Sequence, residues 1–108
     1  MLAKTERMNL LLDFYENLLT KKQKDIMNLY YREDLSLQEI ADLNKTSRSA
    51  VYDLLKRCEK ILEDYDIKLQ LVKKYQKRNN IYQDMLKLED ETLKVLVYKC
   101  LEIENMED

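Results

Sequence analysis

An all-α fold follows from three features of this sequence. Its 108 residues contain no Gly and no Pro, so a β-rich chain would lack its usual turn residues. Leu, Lys, Glu and Asp are abundant, which suits helices. Apolar residues recur at spacings of three and four along most of the chain. The length fits one structural unit, and a hydrophobic content of 45% supports a modest core.

The first helix is expected from Thr5, a cap, after frayed residues 1–4. Met8, Leu11, Leu12, Tyr15, Leu18 and Leu19 form its apolar stripe, widened by Phe14. Thr20 caps a second helix reaching about Arg32, with Ile26, Leu29 and Tyr30 facing inward and Met27 beside them. Glu33, Asp34 and Leu35 make a short link.

Residues 36–57 organise the rest. Ser36 is an N-cap, and Glu39 three residues later completes a capping box. Leu37, Ile40, Ala41 and Leu43 follow at helical spacing, then Asn44, Lys45 and Thr46 break the pattern. Ser47 is a second N-cap. Ala50, Val51, Leu54, Leu55 and Cys58 line one face of the next helix. Two helices crossing over so short a turn need a small residue at their contact, and Ala41 supplies it. Ile40, Val51 and Leu54 close the core between them. This is a helix-turn-helix pattern, although an ordinary helical hairpin also accommodates it. Such turns usually contain Gly at a left-handed position. Asn44 tolerates that geometry best of the three residues here, a choice that shifts the turn by one residue.

The helix from Arg48 meets no Gly or Pro near residue 60. Leu62, Tyr65, Leu69 and Val72 continue a heptad-like seam, open to reading either as packing on a later helix or as a dimer seam. Asn79 and Asn80 are the expected break. A last helical region spans residues 81–103. Ile81, Tyr82, Met85, Leu86 and Leu88 form one apolar set. Leu93, Leu96, Val97, Cys100, Leu101 and Ile103 form another. Residues 89–91 interrupt them, with Asp90 as a cap. This much apolar surface needs cover, so residues 61–108 are expected to be an extension for packing or homodimerisation beyond a bundle over residues 1–60.

The segments Leu19-Thr20, Gln23, Ile26 and Leu29-Tyr30-Tyr31, then SLQEIA and SRSAV, resemble the fourth region of bacterial sigma factors. The chain is more similar still to the YlxM family of small helix-turn-helix proteins of Gram-positive bacteria. ERMNLLLDFYENLLTKKQ, SLQEIA with SRSAVYDLLKR, and EKILEDYDIKL carry that likeness, mainly over residues 5–70. The resemblance implies a sigma region 4-like or winged-helix-like three-helix core. It also implies a gene beside that of the signal recognition particle GTPase, and from that neighbourhood a regulatory role in the particle's pathway.

Several function classes are excluded. There is no His, the commonest general acid or base, and no Gly for a phosphate loop. Acidic pairs such as Glu63-Asp64 and Asp90-Glu91 read as surface charge, so no catalytic residue and no cofactor is assigned. Cys58 and Cys100 lack metal-ligand spacing and read as reduced thiols. No apolar run is long enough to span a membrane, and no signal peptide is evident. A cytoplasmic protein is expected.

Charge bears on the partner. The net charge is −2, low for a nucleic-acid binder. Residues 20–60 carry nine Lys or Arg against seven Asp or Glu, and residues 61–108 carry eight against eleven. Ser47, Arg48, Ser49, Tyr52 and Lys56 are the candidate DNA-contacting residues on the recognition helix. Thr20 joins them as a helix-start phosphate contact. Asp53 and Glu59 on the same helix oppose phosphate. Lys73, Lys74, Lys77 and Arg78 crowd around Tyr75 as a second basic site, or as the solvated, dipole-matched end of a helix. Two functions follow: a DNA-binding regulator, or an adaptor for protein or the particle's RNA. The operator, the partner and the regulated step are not encoded legibly.

Overall fold

The computed structural model describes residues 2–106, and every regular element among them is helical. The order is α1 (Leu2–Tyr15), a 3-10 turn (Glu16–Leu18), α2 (Lys21–Tyr31), α3 (Leu37–Leu43), α4 (Arg48–Leu69), α5 (Leu71–Leu86) and α6 (Glu91–Glu104). The chain divides into two compact units, Met1–Gln70 and Leu71–Asp108.

In the first unit, α1, α2 and α3 all pack on α4. The apolar stripe of α1 is buried at Met8, Leu11, Leu12 and Tyr15, with Leu19 beyond it. Leu18 departs from the expected stripe and is 51% exposed. The cause is the 3-10 turn, which changes the angular step per residue and rotates position 18 outward. Residues 2–4 are helical rather than frayed, and Thr5 lies inside α1 rather than capping it. Lys4 anchors that first turn, with its ammonium 3.0 Å from Glu59 Oε1. Ile26, Met27 and Tyr31 are the buried residues of α2. The expected inward pair Leu29 and Tyr30 is half-buried.

Three helix starts follow the local chemistry of the sequence. Thr20 and Gln23 form a capping box, as do Ser36 and Glu39. Asp90 caps α6 by accepting from the Leu93 amide at 2.9 Å. Each satisfies amides that the first helical turn leaves without intrahelical partners.

The long helix ends earlier than its apolar seam suggests. Gln70 adopts left-handed geometry, φ 54° and ψ 34°, and closes α4 through its amide on the Asp66 carbonyl at 2.8 Å. Asn79 and Asn80, the expected break, lie inside α5. Two Asn cost a helix only modestly, and local propensity does not override the packing of the surrounding turns.

In the second unit α5 packs against α6. Val72 and Val97 are buried, and Tyr82, Met85, Leu93 and Leu101 are half-buried. Arg78 donates to Glu104 Oε2 at 2.6 Å, tying the two helices together. Ile81, Leu88, Val95, Leu96, Tyr98 and Ile103 remain exposed.

Candidate nucleic-acid interface

The helix-turn-helix is built by α3, α4 and the residues between them. Ile40 and Ala41 are buried on α3, as are Val51, Leu55, Cys58 and Leu62 on α4. Ala41 is wholly buried, as the close helix approach requires. Leu54 is half-buried and Ala50 exposed, so the inner face of α4 is narrower than the sequence suggested.

The turn is a Schellman motif. The Thr46 amide donates to the Ala41 carbonyl at 3.0 Å and the Lys45 amide to the Asp42 carbonyl at 3.4 Å, satisfying carbonyls at the end of α3. The left-handed residue is Lys45, with φ 53°. Asn44, expected there, is the C-cap with φ −95°. The motif fixes this choice, because its two bonds require the residue after the C-cap to turn left. The unfavourable Cβ contact at Lys45 costs about 1–2 kcal/mol.

After this turn α4 starts at Arg48, with Ser47 as N-cap. The Ser47 hydroxyl accepts from the Ala50 amide at 3.1 Å and lies 3.3 Å from the Ser49 hydroxyl. Arg48, Ser49, Tyr52, Asp53 and Lys56 are exposed, opposite the buried Val51, Leu55 and Cys58. Helical periodicity therefore gathers all the predicted recognition residues of α4 on one open face. Lys56 is already engaged there. Its ammonium lies 5.3 Å from the Tyr52 ring centroid and 3.5 Å from Glu59 Oε1. Thr20 is exposed at the start of α2, where its hydroxyl accepts from the Gln23 amide at 3.3 Å. Lys73, Lys74 and Lys77 are exposed on α5. Arg78, predicted with them, is held by Glu104.

Glu59 does not join the charged face. It is 9% exposed. Its Oε2 accepts from the Tyr31 hydroxyl at 2.6 Å, and its Oε1 takes both Lys4 and Lys56. Burial pushes its carboxyl pKa upward, but the bonds from Tyr31 and Lys4 and the charges of Lys4 and Lys56 outweigh burial and hold it below the usual value. Burial, reinforced by the bond to Glu59, pushes the Tyr31 hydroxyl pKa up. The signal for this arrangement was helical phase. Position 59 lies four residues after Leu55 and three before Leu62, both buried.

A helix-turn-helix with capped helix starts and an exposed polar face at the start of α4 defines the class of this protein. A family model described as "Putative helix-turn-helix protein, YlxM / p13 like" matches residues 2–99. The UPF0122 protein YlxM of Bacillus subtilis is 53% identical over 87 residues, 81% of this chain and 79% of that one. A UPF0122 protein of Bacillus licheniformis is 55% identical over 89 residues, covering 82% and 83%. One from Clostridium perfringens is 56% identical over 78 residues, covering 72% and 70%. The chain belongs to the UPF0122 family of YlxM/p13-like helix-turn-helix proteins. Among the described residues, no helix is long and apolar enough to cross a membrane.

Proposed function

We propose that this chain is a non-enzymatic, DNA-binding regulatory protein of the cytoplasm, with the first two turns of α4 as its reading element. One observation carries the reading: Arg48, Ser49, Tyr52 and Lys56 share an exposed face that starts at a capped helix end. A recognition helix presents its N-terminal residues to base edges. Arg48 sits in the first turn, where its guanidinium can engage guanine through two bonds. Ser47 and Thr20 stand at helix starts, where amides favour phosphate.

The reading extends to a homodimer through the second unit. Leu96, Cys100 and Ile103 are exposed at helical spacing on α6. Two copies double the phosphate contacts available to a chain of low net charge. Sedimentation that finds only monomer at high micromolar concentration removes this extension.

A second reading is an adaptor for protein or for signal recognition particle RNA, placing the chain in that pathway. The net charge of −2 and the exposed Asp53 favour it, and Lys73, Lys74 and Lys77 offer it a surface. Salt-titrated binding to duplex DNA and to particle RNA, side by side, separates the two. On the DNA reading, Arg48→Ala costs about 1–3 kcal/mol at the preferred site and relaxes its sequence preference. The preferred site exceeds non-specific DNA by roughly a thousandfold or more. If Arg48→Ala is silent while Lys73→Ala with Lys74→Ala abolishes RNA or protein binding, the adaptor replaces the regulator.

A further inference from the structure

Beside the recognition face, the first unit contains a cavity of about 230 Å³. Leu37 and Leu55 supply aliphatic wall, and Tyr30, Tyr31 and Tyr52 supply aromatic wall. The Tyr30 and Tyr31 rings meet edge to face, 4.8 Å between centroids. The charged lining is Lys4, Lys56 and Glu59. Two ammonium groups thus share a single carboxylate oxygen, Glu59 Oε1, at 3.0 and 3.5 Å. Glu59 Oε2 is taken by Tyr31.

We propose that this cavity binds a small aromatic acid, one ring bearing one anionic group, through Lys4 and Lys56. Charge sets the sign of the ligand. Two cations face one anion, so an acid group neutralises the excess. Each ammonium has three donors, so both can reach a ligand without releasing Glu59. Size sets the rest. A cavity of roughly 150 Å³ holds benzene, so the volume here has room for one ring with its acid group. The tyrosine and leucine walls match a flat apolar body, and a few convergent polar groups fix its orientation, as in small-molecule sites generally.

The site has a regulatory consequence, which rests on the DNA-binding reading above. Tyr52 and Lys56 belong both to the cavity and to the recognition face. An acid group bound to Lys56 neutralises its charge and occupies its remaining donors, leaving them unavailable to phosphate, so acid and DNA oppose each other's binding by the same factor.

Nuclear magnetic resonance titration of the full chain without DNA tests the site. The probes are benzoate, acetate and benzyl alcohol. Benzoate should shift the amides of Leu37, Tyr52 and Leu55 saturably, with acetate and benzyl alcohol each about tenfold weaker or worse. Lys56→Gln and Tyr52→Ala alter exposed residues and leave the core intact, and each should weaken benzoate by about tenfold. Three results overturn the site: no saturable shift with benzoate, acetate binding as well as benzoate, or unchanged benzoate affinity in both variants. Duplex binding is then measured with and without saturating benzoate. If benzoate binds as expected and duplex affinity does not move, the cavity stands and the regulatory consequence falls.

Discussion

Tyr31 and Glu59, 28 positions apart, are joined by a hydrogen bond of 2.6 Å inside the first unit. The bond links the last turn of α2 to the middle of α4. Lys4 of α1 closes on the same carboxylate. A buried carboxylate without partners would be costly, but this one has a hydroxyl on one oxygen and two cations on the other. Three helices therefore converge on one side chain on α4, one turn beyond the exposed Lys56.

Stability should fall in acid through Glu59. Its folded-state pKa lies below the ordinary value of about 4.5. The unfolded chain thus takes up the proton first as pH drops. The stabilisation is complete above the unfolded value and is lost as pH falls through the folded one. Glu59→Gln should cost about 1–3 kcal/mol at pH near 7, and its deficit against the parent should shrink below about pH 4. Urea denaturation across pH measures both, and a deficit that stays constant into acid contradicts the assignment.

Lys45→Gly should stabilise the protein. Lys45 holds φ 53° without the freedom of glycine, and the Schellman bonds on either side do not use its side chain. Relief of the left-handed strain is worth about 1–2 kcal/mol. The greater entropy of glycine in the unfolded chain offsets part of it. A net gain of about 0.5–1 kcal/mol is expected, read as a higher thermal midpoint. A lower midpoint would mean that the Lys45 side chain makes a contact worth more than the strain.

How much of this was legible in the sequence depends on distance along the chain. The caps at Thr20, Ser36, Ser47 and Asp90 were readable because each bonds an amide three residues away. The exposed set on α4 followed from helical phase. The left-handed positions Asp34, Lys45, Gln70 and Glu89 were not readable as such. A chain without Gly gives no composition signal for φ > 0, and packing on either side decides where the backbone turns. Glu59 was read as a charge opposing phosphate; helical phase alone places it inward, but its partners Tyr31 and Lys4 come from other helices and could not be read from local sequence. The pairing of Arg78 with Glu104 spans 26 positions and was hidden for the same reason.

Arg7→Lys should loosen α1 from α4. The Arg7 guanidinium bonds Glu63 through Nε at 3.1 Å and Nη2 at 3.0 Å, and Asp66 through Nη2 at 2.9 Å. Tyr15 donates to the other oxygen of Asp66 at 2.8 Å, and its ring stacks on Tyr65 with centroids 6.1 Å apart. A lysine offers a point charge and cannot reproduce the planar fork. The pairs are partly exposed, so the cost is modest, about 1 kcal/mol. Repeating the denaturation at high salt should narrow the gap, since screening weakens the parent's ion pairs as well. A gap that salt leaves untouched would point to packing of the arginine stem instead.

Asp53→Asn should tighten DNA binding. Asp53 is exposed on α4 beside Tyr52 and one turn after Ser49, so a duplex docked on this face brings phosphates near its carboxylate. At roughly 8 Å in water, one such repulsion is worth about 0.5 kcal/mol, a little over twofold in affinity, and more where the interface excludes solvent. The substitution keeps the size of the side chain, and no helix cap depends on Asp53. Stability should therefore stay within about 0.5 kcal/mol of the parent. The gain should be largest at low ionic strength and fade as the Debye length shortens. It should also appear on every duplex sequence, because phosphate repulsion carries no base information. Fluorescence anisotropy over a salt series measures it. Unchanged duplex affinity at low salt would place DNA elsewhere than on the Asp53 face of α4, and with it would fall the assignment of Arg48 and Tyr52 as contacts.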